Sequence, residues 1–254
     1  MNSKPDIVTA AVLVIGDEIL SGRTKDRNIG FIADYLTAIG IDLREVRVVA
    51  DDAVAIVDAV NVLRAKYTYV FTTGGIGPTH DDITADCVAE AFGVSLEFHP
   101  DAVATIKERL AKTGGELNQA RLRMARIPRG AELVANNVSG APGFWMGNVI
   151  TMAGIPAVMQ AMLDEVAPKL KTGTKLLSET IRADAKEGDV GTELGVIAKA
   201  HPETIIGSYP FIDEKQGPNT NIVVRSRDAE KLAAVKAEVE TMLAKVKSQL
   251  GTAR

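Results

Sequence analysis

The chain has 254 residues, with 33 acidic against 29 basic side chains and a formal net charge of −4. It is long enough for a sizeable core in one or two domains and has no basic footprint for nucleic acid. Aromatic residues are only 4% of the chain, too few for a base-stacking platform, and the single cysteine, Cys87, excludes an internal disulfide or a multi-cysteine metal cluster. The longest apolar runs have strand length, short of a membrane span. The opening Met1-Asn2-Ser3-Lys4-Pro5-Asp6 leads straight into a strand without the pattern of a secretory signal, so the expectation is a cytoplasmic protein with no membrane partner.

Val8–Ile15 is a near-continuous apolar run, as a strand buried on both faces of a parallel sheet requires. Helical spacing follows over Ile29–Ile39 and stops at Gly40, a residue suited to a left-handed C-terminal cap. Ile41–Val49 reads as a second strand, Ala53–Ala65 as a helix, Tyr67–Thr73 as a third strand and Thr84–Phe92 as a helix. This alternation predicts a parallel sheet covered by helices, with ligands bound at the carboxyl ends of the strands. Cys87 falls on the core face of the last helix and reads as packing.

Residues 94–127 are expected to be a helical excursion, with helices over Asp101–Lys112 and Asn118–Arg126. Leu133–Phe144 reads as short strand and loop, Asn148–Met152 as a strand, and Pro156–Leu170 as an amphipathic helix with proline in its first turn. Lys171-Thr172-Gly173-Thr174 is a linker. Beyond it come strand Lys175–Ala183, helix Asp189–Ala200, strands Thr204–Tyr209 and Asn219–Ser226, and helix Ala229–Leu250. That order predicts a small α+β domain of ferredoxin-like topology over 175–254, after a first domain over 1–172; Phe211–Pro218 reads as a mobile loop.

The densest chemistry lies in Thr72–Thr84. After the third strand come Gly74, Gly75 and Gly77, which permit φ > 0 and a close approach of ligand to backbone. Free N–H groups in such a loop, with a helix start behind them, make an anion cradle. Thr73, Pro78, Thr79 and Thr84 complete the turn. Asp81 and Asp82 would repel a phosphate unless a cation lay between, so the loop predicts a phosphate with a divalent metal, Mg²⁺ by its oxygen ligands. The plainer alternative is a tight turn with an Asp/Thr helix cap. The loop is neither a Walker loop nor a dinucleotide fingerprint. Gly16-Asp17-Glu18 ends the first strand, where the acids would reach a metal or a ligand hydroxyl, or stand exposed in a turn. Asp26 and Asn28 precede a helix and serve either as ligand contacts or as caps. His80 either donates to phosphate or is a solvated loop residue. Ser139-Gly140-Ala141-Pro142-Gly143 is a second rigid, backbone-exposing loop.

Gly-Gly-Ile-Gly-Pro-Thr-His-Asp-Asp-Ile-Thr at 74–84 resembles the signature of molybdopterin-binding (MoaB/Mog-type) domains, in the form carried by the competence/damage-inducible protein A (CinA-like) branch. Gly16-Asp17-Glu18-Ile19-Leu20 with Gly22, Asp26 and Asn28, then Ala141-Pro142-Gly143-Phe144 and Gly154-Ile155-Pro156, match three further motifs. The resemblance is strong over residues 7–170 and weaker beyond. It implies a three-layer MoaB/Mog-type α/β fold, with Asp82 as the metal-linked acid, Asp81 as the extra acid of the branch, and Asp51 at an acidic position after strand two. Asp82 would be the first metal ligand, and Asp81 or Glu18 the general base. Cofactor contacts would come from Gly16, Asp17, Asp26, Asn28, the glycine loop, residues 139–143, Gly154 and Pro156.

CinA-like domains hydrolyse the diphosphate of nucleotides such as ADP-ribose with a divalent metal (Mg²⁺ or Co²⁺) and sometimes K⁺, and related domains fused to FAD synthases act on FAD-like substrates. The resemblance therefore implies a metal-dependent nucleotide pyrophosphatase. The alternative is a scaffold that holds molybdopterin, or its adenylylated form, without turnover. It also implies a homo-oligomer, a dimer before a trimer. Three departures stand out. Ser139-Gly140 replaces the usual Gly-Thr, Met152-Ala153 replaces Leu-Pro, and Val158 stands where the branch carries Glu. The C-terminal amidase of longer members is not expected, since no such signature follows the small domain.

Overall fold

Val8–Ile15 forms β1, and its side chains explain the layers around it. Ala10, Val12 and Val14 join one core cluster, while Ala11, Leu13 and Ile15 join another, so the strand is buried on both faces. The structure, a computed structural model, describes residues 6–215 and 217–252. The opening Met1–Pro5, read above for a signal, Gln216 of the expected loop, Ala253 and Arg254 lie outside the described residues.

Asp6–Gly173 is one compact unit. Its six-stranded sheet runs in the order β2 (Ile41–Val49), β1, β3 (Tyr69–Thr73), β8 (Val149–Met152), β7 (Gly143–Met146), β6 (Glu132–Val134). The first four are parallel neighbours, and β7 and β6 pair antiparallel. Helices α2 (Asn28–Ile39) and α7 (Pro156–Val166) fill one face with Ile32, Leu36, Met159, Met162 and Leu163. The other face holds α3 (Ala53–Lys66), α4 (Thr84–Phe92) and α5 (Pro100–Thr113). This is a three-layer α/β fold with a mostly parallel sheet. Gly40 ends α2 at φ 84 and Asp52 caps α3 through the Ala55 N–H at 2.9 Å. Cys87 is 1% exposed in the second cluster and burial pushes its thiol up to about 12, which makes it packing rather than chemistry.

In this unit three stretches differ from the sequence reading. Asp17–Leu20 closes a single helical turn, α1. Within the expected helical excursion, β4 (Leu96–Phe98) pairs antiparallel with β5 (Arg126–Pro128), and α6 shrinks to Gln119–Arg123. Strands of three residues are too short to show alternation. The last amphipathic helix ends at Val166 and continues as a 3₁₀ turn, Ala167–Lys169, around Pro168.

The second unit, from Thr174, contains β9 (Leu177–Arg182), α8 (Glu187–Ala200), β10 (Ile205–Asp213), β11 (Gly217–Ser226) and α9 (Ala229–Thr252). Its antiparallel sheet has the order β10-β11-β9, three strands of the ferredoxin-like pattern; among the described residues α9 is not followed by a fourth. Ile181, Ile222 and Val224 meet Val190, Leu194, Val235 and Val239 in one core. Phe211–Pro218, expected as a loop, is the tip of a hairpin: Phe211 pairs with Asn219, Ile212 with Pro218 and Asp213 with Gly217. Pro210 and Pro218 hid the strand. Pro210 is tolerated on an edge strand, and Pro218 lies beyond the register with β9.

Candidate functional site

The carboxyl ends of the parallel strands lie in one row. The Gly16 N–H donates to the Val49 carbonyl at 3.1 Å, and the Gly74 N–H to Met152 at 3.2 Å. The motifs after β1, β2, β3 and β8 therefore share one edge, the usual ligand edge of an open α/β sheet.

Two glycines there are sterically required. Gly74 has φ 100, and a Cβ on it would sit 2.1 Å from the Ile15 carbonyl oxygen. Gly75 has φ 66, and its Cβ would meet Thr84 Oγ1 at 2.1 Å. Thr84 fills that space as a clasp. Its buried hydroxyl donates to the Gly74 carbonyl at 3.0 Å and its N–H to Gly75 at 3.0 Å. Asp82 also turns inward, its Oδ2 accepting the Thr79 N–H at 2.7 Å and the Thr79 hydroxyl, while Arg123 donates to the Asp82 carbonyl at 3.1 Å. A Cβ on Gly77 would meet the Asp82 carboxylate at 2.7 Å. Gly75, Gly77 and Asp82 line a crevice of about 10 Å³ with Arg123, Arg126 and Pro142, too small for more than a water. Pro78, Thr79, His80 and Asp81 are exposed at the loop tip, with His80 Nδ1 3.9 Å from Asp81 Oδ1.

The acids form a group around Asp51. Its Oδ2 accepts the Asp17 N–H at 2.9 Å. Burial pushes the Asp51 carboxyl above its ordinary value, and the negative charges of Asp17, Glu18 and Asp81 add to this, against the lowering effect of the Asp17 N–H. Asp17, Glu18 and Asp81 thus act on Asp51 through their charge. Among the described residues, no three His, Cys, Asp or Glu side chains stand together as a ready metal cage.

Beside this group lies a cleft of about 480 Å³, walled by the end of β1, the Glu18–Asn28 segment, Thr73, Gly154 and Pro156. Two of its lining residues, Asn28 and Thr73, are 4% and 1% exposed, and Asn28 Oδ1 and Thr73 Oγ1 are buried without hydrogen-bond partners among the described residues. Asn28 does not cap α2. Asp26 Oδ1 accepts the Ile29 N–H at 2.8 Å and takes that role, leaving Asn28 Nδ2 to donate to the Gly154 carbonyl at 2.9 Å. Arg23, Lys25 and Arg27, which the sequence reading passed over, line the cleft with no ion pair among the described residues. Their alternation through Ser21–Arg27 was the available signal.

The second loop is organised by Asn136, which the sequence marks as a turn residue. Its Oδ1 accepts the Ser139 N–H at 2.7 Å and the Val138 N–H at 3.1 Å, and its Nδ2 donates to the Ala141 carbonyl at 2.5 Å. Ser139 is exposed, Gly140 packs on Arg109, and Gly143 lies inside β7; of the five, Pro142 lines the crevice at the glycine loop. Val158 is 5% exposed in the apolar core under α7 and is not part of the cleft wall.

Residues 11–172 match the model of a probable molybdopterin binding domain, and residues 175–249 match the FAD synthase middle domain. A probable FAD synthase of Caenorhabditis elegans is 31% identical over 264 residues, covering 94% of this chain and 51% of that protein. A CinA-like protein of Citrifermentans bemidjiense is 40% identical over 165 residues, covering 63% of this chain and 40% of the other. The chain therefore spans about half or less of the length of these two relatives. Among solved structures, a protein CinA of unknown function from Thermoplasma acidophilum is 37% identical with a TM-score of 0.59, covering 64% of this chain and 98% of that one. No helix among the described residues is long and apolar enough to cross a membrane.

Proposed function

The chain belongs to the family of the probable molybdopterin binding domain, and from that premise we propose that its cleft binds a nucleoside diphosphate compound such as ADP-ribose and hydrolyses the diphosphate with a divalent cation. The observation that carries this reading is a ligand-sized cleft at the carboxyl edge of the sheet, lined by Glu18, with Asp51 close enough to Asp17, Glu18 and Asp81 to be acted on by their charges. Four carboxylates beside an anion site repel an anionic ligand unless a cation is shared between them.

The donor set is all oxygen, which suits Mg²⁺ or Co²⁺. Since the chain has no three-acid cage among its described residues, Asp51 and Asp81 would hold such an ion together with phosphate oxygens and water, as Mg²⁺ sites commonly do. When bound, the cation supplies charge neutralisation and polarises a water. Glu18 reaches the cleft wall and is the candidate base. Asp82, in this reading, braces the loop through Thr79 rather than serving as a free ligand.

The match of residues 175–249 to the FAD synthase middle domain, and the name of the Caenorhabditis elegans relative, favour a dinucleotide-type ligand. A second reading, molybdopterin binding without turnover, is favoured by the family match together with the lack of a three-acid metal cage among the described residues. We further infer a cytoplasmic homodimer. Calorimetric titration with ADP-ribose, with and without Mg²⁺, tests ligand binding: Mg²⁺-dependent binding is expected, and no heat with ADP-ribose in either condition would refute the first reading.

A further inference from the structure

The second unit has only two aromatic residues, Tyr209 and Phe211, and its fold sets both on one face of the sheet. Ile206, Ile222 and Val224 belong to the core against α8 and α9. Side chains alternate along a strand, so Gly207, Tyr209 and Phe211 of β10 and Asn221 and Arg225 of β11 lie on the opposite face. A Cβ on Gly207 would lie 3.0 Å from Tyr209 Cε2 and 3.1 Å from its hydroxyl oxygen. The Tyr209 ring therefore leans along the strand over Gly207, in the space a side chain would take. Gly207 is not at positive φ, so the ring and not the backbone accounts for the glycine. The Tyr209 hydroxyl meets Arg225 Nη2 at 3.5 Å, and 48% of the residue stays exposed. Phe211 differs, because the Arg182 guanidinium sits 5.3 Å from its ring centre and is held there by Asp184 and Asp213. One ring is covered and the other open. Two polar groups flank the open ring. Asn221 stands directly opposite Tyr209, and its partly exposed side chain makes no hydrogen bond among the described residues. Arg225 is also partly exposed and has no acidic partner among them.

We propose that this sheet face is a second ligand site, for a nucleobase that carries a phosphate: the base stacks on Tyr209, the Asn221 amide reads its edge and Arg225 takes the phosphate. A ring with one side on the sheet and the other in solvent offers its open side to any planar base. The amide brings a donor and an acceptor together, as a base edge requires. The guanidinium fork matches two phosphate oxygens. The occupant is a free nucleotide and not a nucleic-acid strand, since one open ring seats one base and a net charge of −4 gives no basic track for a polymer. The site lies wholly within the second unit and does not rest on the reading of the cleft.

The test is fluorine NMR of the full chain labelled with fluorotyrosine and titrated with AMP. The chain has four tyrosines, and the resonance missing from Tyr209→Phe is that of Tyr209. A saturable shift of that resonance is expected. Adenosine is expected to bind about tenfold more weakly, on the scale of a charge-assisted hydrogen bond, and ribose 5-phosphate to produce no saturable shift. Arg225→Gln is expected to bring AMP down to the adenosine level and leave adenosine unchanged. The comparison of AMP with adenosine reads the same contact in the wild-type chain, whether or not that variant folds. A Tyr209 resonance that stays put while calorimetry shows AMP binding would place the nucleotide in the cleft alone and overturn the site. No AMP binding at all, or AMP no tighter than adenosine, would overturn it too. A deoxyadenosine hexanucleotide that saturated the Tyr209 shift at a concentration more than about tenfold below AMP would overturn the free-nucleotide occupant and make a strand the partner.

Discussion

Asn28 donates its Nδ2 to the carbonyl of Gly154 at 2.9 Å, a hydrogen bond that joins the first turn of α2 to the loop after β8 across 126 residues of chain. This side chain, which is 4% exposed, ties two walls of the cleft together. Asn28→Ala is expected to leave the Gly154 carbonyl without that partner and to cost about 1–3 kcal/mol, read as a shift in the urea midpoint. Asn28→Asp is a second probe: it retains the size of the side chain but cannot donate when ionised. An unchanged midpoint for Asn28→Ala would show that the hydrogen bond does not fix the walls.

The glycine loop makes a steric prediction. Gly74→Ala places a Cβ 2.1 Å from the Ile15 carbonyl oxygen at φ 100. Such a residue must move or stay strained, costing on the order of 1–3 kcal/mol. Gly93→Ala is the comparison. Its φ is 65 but nothing lies within 4 Å of the added Cβ, so it carries the backbone cost without the clash. Gly74→Ala is expected to melt lower than Gly93→Ala, and equal melting points would contradict the assigned geometry.

Asp51 predicts a pH effect. Its folded carboxyl is pushed above the ordinary aspartate value by burial and then by Asp17, Glu18 and Asp81. A raised folded pKa means that the protonated form favours the fold. That contribution is full below the unfolded value of about 3.9 and is lost as pH rises through the folded value. At neutral pH the ionised side chain therefore weighs against the fold. Asp51→Asn is expected to raise the melting temperature at pH 7 in metal-free buffer, with the gain shrinking toward pH 3.5. A fall in stability at pH 7 would show that the Asp17 N–H bond outweighs burial and repulsion.

Asp81 and Asp82 are adjacent but predict different phenotypes. Asp82 Oδ2 holds the Thr79 N–H at 2.7 Å and its hydroxyl, so Asp82→Asn is expected to lower stability by roughly 1 kcal/mol through the loop. Asp81 is exposed and acts on Asp51 through charge, so Asp81→Asn is expected to leave the melting point within about 0.5 kcal/mol of wild type while weakening Mg²⁺-dependent ligand binding. If Asp82→Asn left stability intact and abolished metal-dependent binding, the roles would be reversed.

Much of this was legible because the first half of the chain is locally consistent. β1 and β2 were readable end to end because each is one run of apolar or alternating residues bounded by Gly or Asp. α4 was readable because its start is a Thr after a glycine turn and Gly93 ends it at φ 65. What stayed hidden depends on partners distant in sequence. Asn28 read as either a cap or a ligand contact because Asn favours caps, and its partner Gly154 lies at another strand end. Arg23, Lys25 and Arg27 were passed over because only the fold closes a cleft against them. β4 and β5 have three residues each, and β10 was cut short at a proline that an edge strand accepts.

We propose that the cleft at the sheet edge turns over a nucleoside diphosphate with a divalent cation. The direct measurement is release of AMP from ADP-ribose, followed by phosphorus NMR, for the wild-type chain with Mg²⁺, with Co²⁺ and with chelator, and for Asp51→Asn. AMP formation is expected with either ion, none with chelator, and at least a roughly hundredfold loss of rate in Asp51→Asn, the scale on which general acid–base and metal-holding groups act. ADP-ribose bound tightly yet returned intact under every condition would contradict it and leave a binding protein in its place.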